Sequence, residues 1–254
     1  MSRRSSASTR AAPRRGSRRP ISIASRAEAR PWTLPMTAAQ TLRITEIFHS
    51  LQGETRTAGL PTVFVRLTGC PLRCGYCDTA YAFSGGELRT LDAIVEEVRG
   101  FAPRFVTVTG GEPLAQPECL PLLERLLDEP GIREVSLETS GALDVAGVDP
   151  RVVKVLDLKT PASGESHRNL WSNLEHLTAR DQIKFVVCDR ADYEWARMQI
   201  DTQRLTERAG EVLLSPSHGV VDPAELAAWI LADRLDVRMQ LQMHKYLWGD
   251  EPGH

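Results

Sequence analysis

No segment of this chain approaches the roughly 20 uninterrupted apolar residues that a membrane-spanning helix needs, so no membrane partner is read from it. An excess of one charge sign is missing as well. Lys and Arg number 31 against 33 Asp and Glu, a formal net charge of -2, which gives no argument for nucleic acid as a partner of the folded part. Internal repeats and a recognisable linker are lacking, and one domain is the simplest account of 254 residues. Cysteine is sparse: there are five, and three of them crowd between positions 70 and 77. Clustering of that kind is the reverse of a disulfide framework and reads as metal ligation in a reducing compartment, which places the protein in the cytoplasm. Cys119 and Cys188 stand among apolar neighbours and read as small buried hydrophobes. Apolar content of 42% and charged content of 25% are those of an ordinary globular protein.

The first 35 residues differ from the rest, with nine arginines against one acid, Glu28, among many Ser and Ala. Such a segment buries too little apolar surface to offset its ordering entropy, so disorder is expected. A basic arm for RNA and an Arg- and Ser-rich transit peptide are two readings of it. The favoured one is a translated upstream leader with Met36 as the working start, because foldable sequence begins only near Leu42. Residues 1–40 are therefore set apart from a domain spanning 41–254.

From Leu42 onward short β-type runs alternate with helical ones. Strands are predicted at Arg43–Phe48, Thr62–Leu67, Phe105–Thr109, Glu134–Glu138, Val152–Leu158, Gln182–Val187, Val212–Ser215 and Val237–Leu241. Several are near-continuous Val/Ile/Leu/Phe runs, as in strands covered on both faces. Helices are predicted at Leu91–Val98 with Thr90 as N-cap, Leu120–Asp128, Asp192–Gln199, and Pro223–Ala232 with Asp222 as cap. The alternation implies an α/β fold of parallel strands with crossover helices, whose chemistry sits at the C-terminal strand ends.

The informative motifs fall at those ends. Cys70, Cys74 and Cys77 form a C-x3-C-x2-C loop directly after the strand Thr62–Leu67. Three thiolates can hold three irons of a four-iron cluster and leave the fourth iron without a protein ligand, whereas an electron-transfer cluster is closed by a fourth cysteine. Zinc is the competing reading, but a structural zinc site wants four N or S ligands and no second Cys pair lies within range. Thr109-Gly110-Gly111-Glu112-Pro113 ends the next strand, and its glycines let backbone approach a ligand closely.

This combination resembles the radical S-adenosylmethionine superfamily. The resemblance implies that the three cysteines carry a [4Fe-4S] cluster whose remaining iron is chelated by S-adenosylmethionine, with the methionine end recognised by the turn containing Gly111 and Glu112. It implies a partial or distorted TIM-like barrel with a reduced helix complement, open where substrate enters. A one-electron cleavage then yields a 5′-deoxyadenosyl radical, and the protein contributes orientation and exclusion of water. A narrower resemblance rests on Ile47-Phe48-His49-Ser50-Leu51-Gln52-Gly53-Glu54, Phe64-Val65-Arg66, Cys77-Asp78-Thr79 and Gln242-Met243-His244-Lys245-Tyr246-Leu247. Over residues 43–248 these are similar to the 7-carboxy-7-deazaguanine synthase family, which supplies 7-deazapurines such as queuosine.

That likeness implies conversion of 6-carboxy-5,6,7,8-tetrahydropterin to 7-carboxy-7-deazaguanine with loss of ammonia, with S-adenosylmethionine acting catalytically. It implies pterin contacts at Leu51, Gln52, Gly53, Glu54, Arg66, Thr109 and His244, and a Mg2+ contact at Thr79. It implies S-adenosylmethionine contacts at Tyr76, Cys77, Asp78, Gly111, Glu112 and the tripeptide Asp157, Leu158 and Lys159. There the family often has Ser-Pro-Lys, so only the lysine matches closely. A homodimer and an electron donor such as flavodoxin or ferredoxin are implied too. Some relatives end just after the His-Lys-Tyr-Leu stretch and use the terminal carboxylate, whereas here Trp248 to His254 follow. The segment Ser166 to Asn173 is expected to be a mobile connection. Two other functions compete: a glycyl-radical activating enzyme, and a non-catalytic iron–sulfur or zinc module that binds tRNA.

Overall fold

The structure, a computed structural model, describes residues 39–249, 251 and 253. The arginine-rich leader and the start at Met36 lie outside these residues. Among the described residues the strands form one sheet in the order β3-β1-β2-β4-β5-β6-β7-β8-β9. These are β1 (Thr41–Leu51), β2 (Pro61–Leu67), β3 (Glu87–Thr90), β4 (Phe105–Gly110), β5 (Glu134–Thr139), β6 (Val153–Asp157), β7 (Gln182–Val187), β8 (Glu211–Pro216) and β9 (Arg238–Met239). Strands β2 and β4 to β9 are parallel, and β1 pairs antiparallel with both β2 and β3. The barrel does not close, since β3 and β9 are edges.

Helices α1 (Leu91–Gly100), α2 (Cys119–Leu127), α3 (Arg190–Thr202), α4 (Leu205–Arg208), α5 (Pro223–Asp233) and α6 (Met243–Trp248) complete the fold. Leu91, Ile94, Val95 and Val98 of α1 are buried at helical spacing, as are Cys119, Leu122, Leu123 and Leu126 of α2. They pack in one core with Val63, Val65, Val106, Val108, Val135 and Leu137 of the sheet. Each fully buried Leu or Val there contributes on the order of 1.5–3 kcal/mol over leaving it exposed. The caps form as expected: Thr90 accepts from the Ala93 N–H and Asp222 from the Ala224 N–H. The connections from β5 to β6 and from β6 to β7 carry no α-helix. That is the reduced complement expected.

Some expectations need correction. Strand β3 was not anticipated, because Glu-Leu-Arg-Thr is too short and polar to show alternation; it pairs only with β1. Short α4 and α6 were missed too, and β9 spans only Arg238–Met239 rather than Val237–Leu241. Residues 166–173 are not a mobile connection. They form 3-10 turns, and buried Asn169 bonds both the N–H and the C=O of Lys159 at 2.9 Å each. Cys119 is buried, but Cys188 is only half-buried.

Lys154 on β6 and Asp181 before β7 make a buried ion pair at 3.1 Å, their side chains 3% and 0% exposed. Asp181 also accepts from the Lys154 and Thr178 N–H groups at 2.7 and 2.8 Å. Asp181→Ala would leave the ammonium without its partner, and the expected loss is about 3–5 kcal/mol in urea unfolding. A loss below about 1 kcal/mol would mean that the pair contributes nothing to the β6–β7 junction.

Candidate active site

The C-terminal ends of the parallel strands open on a cavity of about 230 Å³. Every residue singled out from the sequence lines it except Glu112 and Leu158. Leu158 is fully buried in the core. Glu112 is fully buried as well, and its carboxylate accepts from the Leu114 N–H, the Thr139 hydroxyl, and both the N–H and hydroxyl of Ser140. The side chain therefore ties the end of β4 to the end of β5.

The cysteine loop is held from several sides. The Glu112 N–H donates to the Gly69 C=O at 2.8 Å and the Gly75 N–H to the Ser163 C=O at 3.0 Å. A Cβ on Gly111 would lie 2.2 Å from the Gly69 oxygen, so only glycine fits where the turn meets the loop. Arg73 donates to the Cys70 and Leu72 carbonyls and covers the Phe83 ring at 4.3 Å. Burial raises all three thiols, Cys74 to about 11. Neighbouring Lys159, ion-paired with Asp157 at 3.1 Å, works against that rise.

At the opposite wall the two ends of the domain meet. The Met243 N–H donates to the Gly53 C=O at 3.0 Å, and a Cβ on Gly53 would sit 2.5 Å from His244 Nδ1. Gln52 is buried: its amide N–H2 donates to Thr107 and Glu138, and its oxygen accepts from the Glu54 N–H. Thr109 donates to the other Glu138 oxygen at 2.9 Å. Arg66 is held through Nε by Glu46 at 2.6 Å, which also accepts from the Tyr81 hydroxyl at 2.7 Å. Its guanidinium lies 5.6 Å from the Phe48 centroid and 5.9 Å from that of Tyr81. Phe48 in turn stacks on Phe64 at 5.0 Å. Thr79 donates to Asp78 at 2.8 Å.

Sequence reasoning gave no role to several lining residues, chiefly Glu138, Lys184, Gln242 and Tyr81. Glu138 ends a strand beside Thr139-Ser140-Gly141, so its position carried a signal; Lys184, an isolated cation inside an apolar strand, carried one as well. Burial, with the charge of Glu54, raises the Glu138 carboxyl above its ordinary value. For Lys184 burial pulls the other way, but Glu54, Asp157 and Glu138 outweigh it and hold the ammonium charged. Asp78 is kept below the carboxylate range: burial opposes this, yet the Thr79 bond and Lys184 prevail.

The description of the radical SAM superfamily matches residues 64–157, which carry the cysteine loop, the Gly-Gly-Glu-Pro turn and Asp157. Together with the strand-end cavity they define the class: a radical S-adenosylmethionine protein. Within it, a relative from Koribacter versatilis named 7-carboxy-7-deazaguanine synthase is 46% identical over 83% of this chain and 98% of its own length. One from Chlorobaculum tepidum with the same name is 43% identical over 85% of this chain and 98% of its own. The crystal structure of QueE from Escherichia coli matches with a TM-score of 0.66 and 26% identity, covering 80% of this chain and 95% of that one. The chain belongs to the 7-carboxy-7-deazaguanine synthase family.

Superfamily membership implies a [4Fe-4S] cluster and S-adenosylmethionine, and the residues present fit both. Three thiols from one loop line the cavity, while Cys119 and Cys188 do not. Among the described residues no group of three His, Cys, Asp or Glu converges on a point for a single ion. A cluster does not ask for such convergence, because each thiolate ligates a different iron. Beside the thiols, the buried Tyr76 hydroxyl and Asp157 Oδ1 have no hydrogen-bond partner among the described residues. Orphaned buried groups of this kind suit a polar ligand.

His244 yields a pH prediction. Burial lowers its imidazole below the ordinary 6.5, against the pull of Glu54 and Asp78. The unfolded chain therefore takes up this proton first as pH falls. The neutral imidazole's contribution to stability is present above about pH 6.5 and is lost on acidification through that value. Urea midpoints at about pH 7.5 and 5.5 should fall more for the wild type than for His244→Asn. Equal falls would show that the imidazole is not buried neutral.

Proposed function

We propose that this chain catalyses the ring contraction of 6-carboxy-5,6,7,8-tetrahydropterin to 7-carboxy-7-deazaguanine with release of ammonia, as one catalytic domain spanning 41–254. The observation that carries the reading is a single cavity lined by the cysteine loop on one side and by Leu51 to Glu54, Arg66, Thr109 and His244 on the other. When bound, the cluster and S-adenosylmethionine supply the one-electron cleavage and hydrogen abstraction that begin the reaction.

The protein's residues bind and orient. Phe48 and Tyr81 offer aromatic faces to a flat heterocycle, and the Arg66 fork between them suits its carboxylate or polar edge. Gln52 and Thr109 hold Glu138 at the wall, and Glu54 stands beside it as an acceptor for ring N–H groups. Neutral His244 can accept or donate one hydrogen bond. The orphaned Tyr76 hydroxyl and Asp157 oxygen, with Gly111, face the cofactor side. Fixed geometry of this kind lowers a barrier by several kcal/mol through positioning alone.

The same reading extends to Mg2+ held through the Thr79 hydroxyl and the substrate carboxylate, since that ion is hard and keeps few protein ligands. It also extends to reduction by a flavodoxin or ferredoxin, a homodimer and a cytoplasmic location.

The test is anaerobic reconstitution with iron and sulfide, then incubation with S-adenosylmethionine, reductant, Mg2+ and the carboxypterin. Formation of the deazaguanine is expected; its absence with the cluster intact would leave only the superfamily. In that assay Arg66→Ala should raise KM for the pterin about 10- to 100-fold, the range of one lost charge-assisted bond, with a smaller effect on kcat. An unchanged KM would remove Arg66 from substrate binding.

A further inference from the structure

We propose that Lys184 is a positioning residue of this site, holding Glu54 on the substrate side and Asp157 on the cofactor side so that Glu54 is aimed into the cavity. The inference rests on the substrate reading above and adds a residue to it. Lys184 stands on β7 opposite Asp157 of β6 in the parallel register, which sends both side chains to the same face of the sheet. Its ammonium is ion-paired with Glu54 and lies 3.9 Å from Asp157 Oδ2, the oxygen that Lys159 meets at 3.1 Å.

The contacts run on in both directions until they close. Lys159 lies 5.8 Å from the Tyr76 ring, in the cysteine loop. On the other side the Gln242 amide donates to the second oxygen of Glu54 at 3.2 Å and to Asp78 at 3.1 Å, back in that same loop. Tyr76, Lys159, Asp157, Lys184, Glu54, Gln242 and Asp78 thus ring the cavity, all lining it. Lys184 joins the substrate loop to the cofactor wall through charge, at Glu54 and Asp157, as Gln242 joins Glu54 to Asp78 through its amide.

Charge explains why a cation belongs there. Glu54, Asp157 and Glu138 all face this small cavity. Without Lys184, Lys159 would be the one ring cation left for the ring carboxylates Asp157, Glu54 and Asp78, and Glu54 would have no cationic partner in the ring. Unpaired carboxylates in a poorly solvated space either take up protons or turn toward water. Lys154–Asp181 offers a contrast: that pair is buried and does not line this cavity.

The test uses reconstituted enzyme with saturating S-adenosylmethionine and no reductant, so that equilibrium binding of the carboxypterin is read without turnover. Lys184→Gln, of similar length but uncharged, should raise Kd about 10-fold or more, and Lys184→Arg should stay within about 3-fold of wild type. Glu54→Gln should weaken binding too, and the double variant should bind about as weakly as either single one, because the lysine acts through the carboxylate. Wild-type affinity in Lys184→Gln, or losses that simply multiply in the double variant, would overturn the proposal. If Lys184→Gln melts too low to assay, adding Glu54→Gln should raise its melting temperature by removing the uncompensated charge, and a further fall would overturn it. Product formation by wild type in the same preparation tests the substrate reading separately.

Discussion

The close approach of the Gly-Gly-Glu-Pro turn to the cysteine loop holds the rest of the site in register. Gly110 and Gly111 sit where any Cβ would strike backbone, 2.3 Å from the Leu67 oxygen in one case and 2.2 Å from the Gly69 oxygen in the other. That contact locks the loop after β2 to the end of β4. Buried Glu112 then carries the linkage one strand further, to Thr139 and Ser140 at the end of β5. Three strand ends are joined by short, fully satisfied interactions, so a ligand meets a wall that need not reorganise.

Upon this frame the protein places charges that would be costly elsewhere. Buried ions are tolerated only where partners and hydrogen bonds compensate for lost hydration. The ring from Tyr76 to Asp78 supplies that compensation, its charges alternating from Lys159 through Asp157 and Lys184 to Glu54, with the Gln242 amide between Glu54 and Asp78. It leaves particular atoms, the Tyr76 hydroxyl and one Asp157 oxygen, without hydrogen-bond partners among the described residues. A polar ligand is then favoured twice, by what the ring presents and by what the ring leaves unsatisfied. The rings of Phe48 and Tyr81 flank Arg66 on the same wall.

Legibility in the sequence followed the range of the interactions. The cysteine triplet was readable because its geometry is set within one loop, and helix starts were readable because caps act over two or three residues, as Thr90 on Ala93 shows. Most strands were readable from their continuous apolar runs. Strand β3 was not, since Glu87–Thr90 is held by pairing with β1 and not by its own pattern. Residues 166–173 read as a mobile connection because the bonds of Asn169 to the backbone of Lys159 leave no mark on the local sequence. The bonds of Glu112 to Thr139 and Ser140 were not readable, because spacing gives the position of a residue and not its rotamer.

What the sequence determined by itself was the cysteine loop at a strand end and the parallel α/β plan, because thiol spacing and apolar periodicity are local properties. The other wall residues named in advance came from the resemblance to a known family. What only the tertiary structure decided was the partner of each charge. Lys184 meets Glu54 from the far side of the sheet, Gln242 joins the last helix to the first loop, and Glu112 turns inward to Ser140. Such pairings depend on strand register and on which loops the sheet gathers at one edge, and those follow from the packing of the whole domain.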